Sequence, residues 1–124
     1  MSGVTIKPVV TYPGVGDGSA IKFFWETVTK DDTCAPASVP EHTVKSLQVT
    51  GTFDSASVAL QGSNDGTNYA ALNAVVGTPL AIAAAGIKSP IEHTLFVKPT
   101  HASGSTSQDI DITLLAVRPT PLRT

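Results

Sequence analysis

The sequence predicts an all-β protein, an antiparallel two-sheet sandwich of the jelly-roll kind. Three observations lead to this fold class. Several short segments alternate apolar and polar residues with a period of two, which is the pattern of a strand with one buried face. One of these segments runs into an Asp-Gly pair and then an aromatic residue, which is typical of a β-hairpin. Charged residues make up only 15% of the chain, against roughly 25% in an average soluble domain.

The strands are predicted from their alternation. The first clear strand contains Ile21, Phe23 and Trp25, which share one sheet face, whereas Phe24 takes the other face. Later segments show the same pattern, and the apolar residues that we expect on their inward faces are Leu47, Val49, Phe53, Val58, Leu60, Ile91, Leu95, Val97, Ile110, Ile112, Leu114 and Ala116. At least five strands are therefore predicted, and no segment favours a helix of normal length.

The hairpin signal lies in residues 58–69. Asp65 and Gly66 are predicted to hold the two positive-φ positions of a tight turn, with Asn64 directly before them. Such a turn matches the twist of the two strands that it joins. The segment therefore argues for antiparallel pairing by itself.

Segments rich in Pro, Gly, Asp and Ser separate the strands, and we expect loops at residues 13–18, 31–36, 77–79 and 103–105. Residues 4–12 are expected to lie at a sheet edge or bulge, because Pro8 has no N–H to donate. Residues 81–85 are expected to form a short strand and a turn. The length of 124 residues fits one domain, with extended arms at about residues 1–7 and 118–124.

Charge and hydropathy argue against two classes of partner. The net charge of −2 provides no basic surface for a phosphate backbone, so we expect no nucleic-acid partner. The longest apolar run, from Leu80 to Ile87, is far shorter than the roughly 20 residues that cross a bilayer, so we expect no membrane partner. Cys34 is the single cysteine and cannot form an intrachain disulfide. The first residues lack a charged region followed by an apolar segment, so we expect cytoplasmic synthesis without secretion.

No motif supports catalysis, and we expect neither an enzyme nor a cofactor. Residues 14–19 begin like a phosphate-binding loop, but Ser19 stands where the third glycine is required, and a strand follows instead of a helix. Ser19 and Lys22 match S-x-x-K without its companion motifs. When Gly66 is aligned with the sixth position of an EF-hand loop, Gln61 and Leu72 take the positions that require carboxylates.

The titratable groups form no recognisable site, and we expect no bound metal. Asp109 and Asp111 share a strand face, as paired carboxylates of glycosidases can, but a solvated outer face is the expected interpretation. The histidines lie in separate segments without zinc-site spacing, and they are His42, His93 and His101. The parity of His93 predicts a hydrogen-bonded interior residue. Cys34 has no local partner that would make it a nucleophile.

Four apolar residues oppose the core parity of their strands, and they are Phe24, Phe96, Leu115 and Val117. Two explanations remain open for them. Loops of the same chain can cover such residues, or they can be buried against another subunit, since exposed apolar patches and aromatic residues are features of interfaces. We take these four residues as the candidate partner interface.

The run Val58-Ala59-Leu60-Gln61-Gly62-Ser63-Asn64-Asp65-Gly66-Thr67-Asn68-Tyr69, with Gly77-Thr78-Pro79-Leu80, Ala84-Ala85-Gly86-Ile87-Lys88 and Leu95-Phe96-Val97-Lys98-Pro99 beyond it, resembles small structural proteins of tailed bacteriophages. It is similar in particular to the head decoration, or cement, proteins of short-tailed phages, over roughly residues 42 to 118. The resemblance implies a small β-sandwich, a homodimer without catalysis, synthesised in the host cytoplasm. It also implies binding to the exterior of the virion capsid, where the protein fastens neighbouring major capsid proteins.

Two alternatives remain. The hairpin also resembles that of discoidin-like carbohydrate-binding domains, in which case Asn64, Asp65, Asn68 and Tyr69 would contact a sugar. The chain lacks the terminal cysteine pair of those domains. A tail or baseplate component is the other alternative.

Overall fold

The computed structural model describes residues 4–13, 20–40, 42–102 and 106–118. Within these residues every regular element is a strand, so no helix that could span a membrane is present among them. The strands are β1 (Thr5–Ile6), β2 (Val9–Thr11), β3 (Ala20–Val28), β4 (Thr33–Cys34), β5 (Ala37–Ser38), β6 (Val44–Thr52), β7 (Ser57–Ser63), β8 (Ala70–Ala71), β9 (Asn73–Val75), β10 (Thr78–Pro79), β11 (Ala81–Ile82), β12 (Gly86–Lys88), β13 (Phe96–Ala102) and β14 (Asp109–Val117).

The strands form two main sheets. The first has the order β12-β6-β14-β3-β2, and the second has the order β11-β7-β13-β5 with β8 also paired to β7. All pairs within these two sheets are antiparallel. The connections from β6 to β7 and from β13 to β14 pass from one sheet to the other, and β6 pairs with β14 while β7 pairs with β13. The predicted all-β sandwich is confirmed, and the finer jelly-roll assignment stays a prediction.

The core lies between the two sheets and contains the side chains that alternation placed inward. Trp25 is fully buried, its ring stacks on Phe23 at a centroid distance of 6.3 Å, and its indole N–H donates to Ala35 O at 3.0 Å. The other buried apolar residues of the long strands are Val28, Leu47, Val49, Val58, Leu60, Val97, Ile110, Ile112, Leu114 and Ala116. Burial of this apolar surface is the main stabilising contribution to such a fold.

The register between β3 and β14 is interrupted by a bulge. Ile110 lies opposite Val28 and Ile112 lies opposite Trp25, so β3 has one residue more than β14 in this interval. Thr27, within the bulge, has a φ of 57°, which is rare for a β-branched residue. Its N–H has lost its strand partner and donates instead to the Asp111 carboxylate at 2.9 Å.

The N-terminal segment pairs with the rest of the chain where it is described. β1 pairs in parallel with β4, and Val4 N donates to the Asp32 carboxylate at 3.0 Å. Asp32 also accepts hydrogen bonds from the N–H and the hydroxyl of Thr29. Residues 1–3, 14–19, 41, 103–105 and 119–124 lie outside the described residues. Most of the predicted loop at 13–18, the predicted loop at 103–105 and nearly all of the predicted C-terminal arm lie there.

One predicted strand segment is wrong. Ile91 and Leu95 were expected on the inward face with Val97, but they precede β13 and are 51% and 41% exposed. Hydrogen bonds outside the β13 ladder explain the difference, because Ile91 N donates to Asn73 O of a distant segment, and the Thr94 hydroxyl donates to Phe96 O at 2.7 Å. A local bond from a side-chain hydroxyl, such as that of Thr94, competes with the regular ladder of a strand.

Candidate functional site

Three of the four predicted interface residues lie together on one surface. Phe24 belongs to β3, and Leu115 and Val117 belong to β14. Their parity places them on the face of the first sheet that points away from the core. The strand register adds neighbours from β2, β6 and β12. We call this surface the outer face, and it consists of Val9, Lys22, Phe24, Val44, Ser46, Gln48, Ile87, Thr113, Leu115 and Val117.

Several apolar side chains of the outer face are open to solvent. Val9, Val44 and Ile87 are 57%, 57% and 61% exposed, whereas Phe24, Leu115 and Val117 are half-buried by their neighbours. Val44 lies directly opposite Val117, and Val9 lies opposite Phe24. Sequence parity identified the residues on β3 and β14, and it also places Val44 out of phase with Leu47 and Val49, a signal that our interpretation missed. Parity could not identify Val9 and Ile87, because their positions depend on which strands pair.

A groove of about 310 Å³ crosses the outer face. Pro13 and Ile87 line it from the two edges of the sheet, and the residues between them are Lys22, Ser46, Gln48, Thr113 and Leu115. Since Lys22 is the one charged side chain in this lining, the groove suits a mainly apolar or neutral polar partner surface.

The fourth interface candidate, Phe96, lies apart from the other three. It belongs to β13 in the second sheet and lies opposite Ser63 of β7. The turn after β7 lies against its ring, since a Cβ built on Gly66 would approach Phe96 Cε2 to 3.4 Å. This contact corresponds to the first of the two open explanations, in which a loop of the same chain covers the residue.

The turn with Asn64, Asp65 and Gly66 does join two antiparallel strands, because β7 pairs with β8. The predicted turn type is wrong. Gly66 has a φ of 79°, but Asp65 is not among the described residues with positive φ. The Ser63 hydroxyl explains this conformation, because it accepts hydrogen bonds from Asp65 N and Gly66 N at 3.2 and 2.9 Å and thereby replaces a two-residue turn with a longer one.

The carboxylate of Asp65 is the centre of this turn. Its Oδ1 accepts hydrogen bonds from Thr67 N, Asn68 N and the Ser63 hydroxyl, each at 2.8 Å, and its Oδ2 accepts one from Asn68 Nδ2 at 2.9 Å. The hydrogen bonds from Asn68 and Thr67 hold the pKa of Asp65 well below its ordinary value. The Asn64 side chain accepts from Leu95 N at 3.1 Å.

These bonds bear on the carbohydrate-binding alternative. The polar groups of Asp65 and Asn68 that would contact sugar hydroxyls already bind one another. The ring of Tyr69, the one aromatic residue of that set, has Lys98 Nζ 4.4 Å from its centroid. A cation in this position occupies a ring face that a sugar would use for stacking.

A cleft of about 440 Å³ separates residues 30–34 from residues 98–101. Cys34 and His101 both line it, but their chemistry does not make a nucleophile and a base. Burial raises the pKa of the Cys34 thiol to about 12, so it stays protonated at neutral pH. His101 Nδ1 lies 3.1 Å from Gln108 Nε2, and His101 Nε2 lies 2.6 Å from Asp32 O. Because the amide donates and the carbonyl accepts, both ring nitrogens are engaged in structural bonds.

A buried lysine is a feature that the sequence interpretation missed. Lys45 is only 3% exposed, and its ammonium group donates to His42 O at 3.0 Å and to His93 Nδ1 at 2.9 Å. His93 Nε2 in turn donates to Pro40 O at 3.1 Å. Burial lowers the pKa of Lys45. The available signal was parity, because Lys45 alternates in phase with Leu47 and Val49.

His93 itself is exposed, so the prediction of an interior residue is wrong, although the residue is hydrogen-bonded. Within the described residues no three His, Cys, Asp or Glu side chains are placed to hold a metal ion. Asp111 of the predicted carboxylate pair binds the bulge of β3, as described above. Glu92 binds the N–H and the side-chain amide of Asn73, and these bonds lower its pKa.

Comparison with known proteins gives one structural likeness. No protein-family model and no curated protein sequence matches the chain. The fold is similar to that in the crystal structure of the SPBc2 prophage-derived protein YomS, with a TM-score of 0.62. The alignment covers 88% of this chain and 97% of that one, at 14% sequence identity. The TM-score shows a shared fold, and at an identity this low the likeness extends to the fold alone.

Proposed function

We propose that this chain is a structural protein of a tailed bacteriophage, a decoration or cement protein that binds the exterior of the head and stabilises contacts between major capsid proteins. The observation that carries the proposal is the fold likeness to a prophage-derived protein over nearly the full length of both chains. The resemblance of residues 42–118 to head decoration proteins supports the capsid role. The protein would act without catalysis, and its site of action would be the virion.

The local chemistry favours binding over catalysis. Four groups that could act as nucleophile, base or acid are poorly suited to that role: the Cys34 thiol has a raised pKa, and His101, Asp65 and Asp111 hold loops and a bulge in place. An adhesive protein needs only a stable scaffold that presents complementary surfaces. A sandwich whose loops are fixed by their own hydrogen bonds supplies such a scaffold at a small entropic cost of binding.

The proposed mechanism is additive. Each copy would bury a surface of standard size, about 800 Å² per partner, across a seam between capsid proteins. A single contact of this size contributes a modest free energy. Many copies on one shell would together resist the outward pressure of the packaged DNA.

The proposal is tested by mixing the purified chain with undecorated, expanded phage heads and sedimenting the mixture. We expect the protein to sediment with the heads, to appear as regular projections in electron micrographs, and to raise the temperature at which the heads release DNA. An unrelated β-sandwich of similar size is the control. Isolated tails and a glycan array form two further arms of the experiment.

Binding to tails alone would identify a tail or baseplate component and contradict the capsid proposal. Saturable binding to glycans without binding to heads would support the carbohydrate-binding alternative. Absence of binding to heads, tails and glycans would overturn the proposal as well.

A further inference from the structure

One long stretch of the chain is exposed and carries no charge. Residues 66–87 contain no Asp, Glu, Lys, Arg or His, whereas charged residues make up 15% of the whole chain. Most residues of the stretch are nevertheless exposed, among them Val75 and Val76, which are 57% and 90% exposed. Exposed positions are where charged side chains are normally found. An exposed apolar patch without them is a feature of surfaces that bind another protein.

The stretch covers one edge of the sandwich. β11 is an edge strand of the second sheet, β12 is an edge strand of the first, and the three exposed alanines 83–85 connect them. β8 and β11 both pair with β7 on the side away from β13, so the β9–β10 hairpin between them emerges from the same edge. We call this surface the uncharged edge, and its members are Val75, Val76, Ala83, Ala84, Ala85 and Ile87.

The hairpin of the uncharged edge is fixed at its base and open at its tip. At the base, Leu80 N donates to Leu72 O at 2.9 Å, and both leucines are buried. The Glu92 carboxylate accepts hydrogen bonds from Asn73 N at 2.7 Å and from Asn73 Nδ2 at 2.6 Å. At the tip, a Cβ on Gly77 would meet no described atom within 4 Å. A projection held in this way loses little conformational entropy when it binds.

We propose that the uncharged edge binds an apolar, uncharged surface of a capsid protein, as a second contact besides the outer face. This inference rests on the proposed function, because a protein that fastens two neighbouring capsid proteins needs a separate surface for each. The outer face is the candidate for one neighbour, and the uncharged edge serves the other. The two surfaces share Ile87, so they meet along β12.

The chemistry of the uncharged edge restricts its partner. A charged group of the partner would lose its hydration there without gaining an opposite charge, which disfavours such a contact. Phosphate backbones and anionic lipid surfaces are bound by Lys and Arg, which residues 66–87 lack. The exposed side chains are aliphatic, and the short ones of residues 83–85 let a partner approach the backbone closely. An apolar protein surface with a recess for the tip at Val76 fits these properties.

The experiment is co-sedimentation of the full chain with undecorated, expanded heads, for the wild type, Val76→Lys, Ala84→Lys and the control Val4→Lys. Val4 is 61% exposed and lies in the N-terminal segment, outside both surfaces. We expect Val76→Lys and Ala84→Lys to weaken head binding at least about tenfold, because each buries an unpaired charge in an apolar contact. Val4→Lys should bind like the wild type, and so should Val76→Ile, which keeps the tip apolar. Urea unfolding of each variant checks that it is folded.

If the wild type binds heads and Val76→Lys and Ala84→Lys bind equally well, the inference is overturned while the proposed function stands. Equal losses in Val4→Lys and Val76→Lys would also overturn it, since any added lysine would then have the same effect. Self-association of the free chain that Val76→Lys abolishes would assign the uncharged edge to a second copy instead. A wild-type chain that does not bind heads would contradict the proposed function itself, and the inference with it.

Discussion

The left-handed backbone at Gly51 shows how one residue limits the sequence of β6. Gly51 has a φ of 112° and lies opposite Ile110 of β14. A Cβ at this position would clash with Asp109 O and would lie 3.0 Å from Ile110 Cα. Because both of these atoms belong to the backbone of the neighbouring strand, no side-chain rotation can relieve the contact. The position therefore requires glycine for its space as well as for its conformation.

We expect Gly51→Ala to lower the free energy of unfolding by at least ~2 kcal/mol, because it adds a backbone clash to left-handed strain. Gly77→Ala is the control, since Gly77 also has a positive φ of 79° but a Cβ there meets nothing within 4 Å. It should cost about 1 kcal/mol, the strain alone. Urea unfolding measures both values, and equal losses in the two variants would contradict the role of the clash.

Cys34 provides a second test at the scale of the residue. Its pKa of about 12 against an ordinary 9.0 lowers the fraction of reactive thiolate at pH 8 roughly a thousandfold, and burial restricts access further. We expect the folded protein to react with a thiol reagent at least about a hundredfold more slowly than the chain in urea. Rapid labelling of the folded protein would show that the cleft exposes an activated thiol and would reopen a catalytic interpretation.

At the scale of the element, the bulge in β3 is supported by a side chain from β14. The N–H of Thr27 has no ladder partner at the bulge, and the Asp111 carboxylate accepts it. A pattern of paired aspartates on one strand face can thus have a structural origin that the sequence does not reveal. The bulge could not be predicted, because it depends on the register between strands that are distant in sequence.

We expect Asp111→Ala to destabilise the protein by about 1 kcal/mol, because it leaves the Thr27 N–H without its acceptor. Asp109→Ala is the matched control two residues away on the same strand, where the side chain is exposed. That change should stay within about 0.5 kcal/mol of the wild type. Chemical unfolding of the two variants provides the measurement, and an equal effect of both would show that the bulge does not depend on Asp111.

Period-two alternation identified the long strands and failed for the short ones. β3, β6, β7 and β14 have seven to nine residues each, enough for the pattern to be clear. β1, β4, β5, β8 and β11 have two residues each, so they carry no period at all. The same limit determined how much of the outer face could be predicted. Parity separated Phe24 and Leu115 from the core, but only the pairing of strands places Val9 and Ile87 beside them.

At the scale of the whole molecule, three carboxylates connect the loops to the sandwich. Asp65 holds the turn after β7, Glu92 holds the segment before β13, and Asp32 joins the N-terminal segment to the turn before β4. All three have a lowered pKa. Burial alone would raise the pKa of Asp32, but the hydrogen bonds from Val4 and Thr29 together outweigh it.

These shifts predict a loss of stability in acid. A carboxyl whose pKa is lower in the folded state than in the unfolded state stabilises the fold fully above its unfolded pKa, and this contribution disappears as the pH falls towards the folded pKa. The urea midpoint should therefore be nearly constant from pH 7 to about 5 and should fall below about pH 4, where unfolded carboxyls become protonated. Asp65→Asn keeps the shape of the side chain but removes the carboxylate charge that the turn binds, so its urea midpoint should be lower than that of the wild type at pH 7. Because the amide cannot titrate, the midpoint of this variant should also fall less on acidification. A wild-type midpoint that does not change between pH 5 and pH 2.5, or an Asp65→Asn curve parallel to that of the wild type, would show that these carboxylates do not hold the loops to the sandwich.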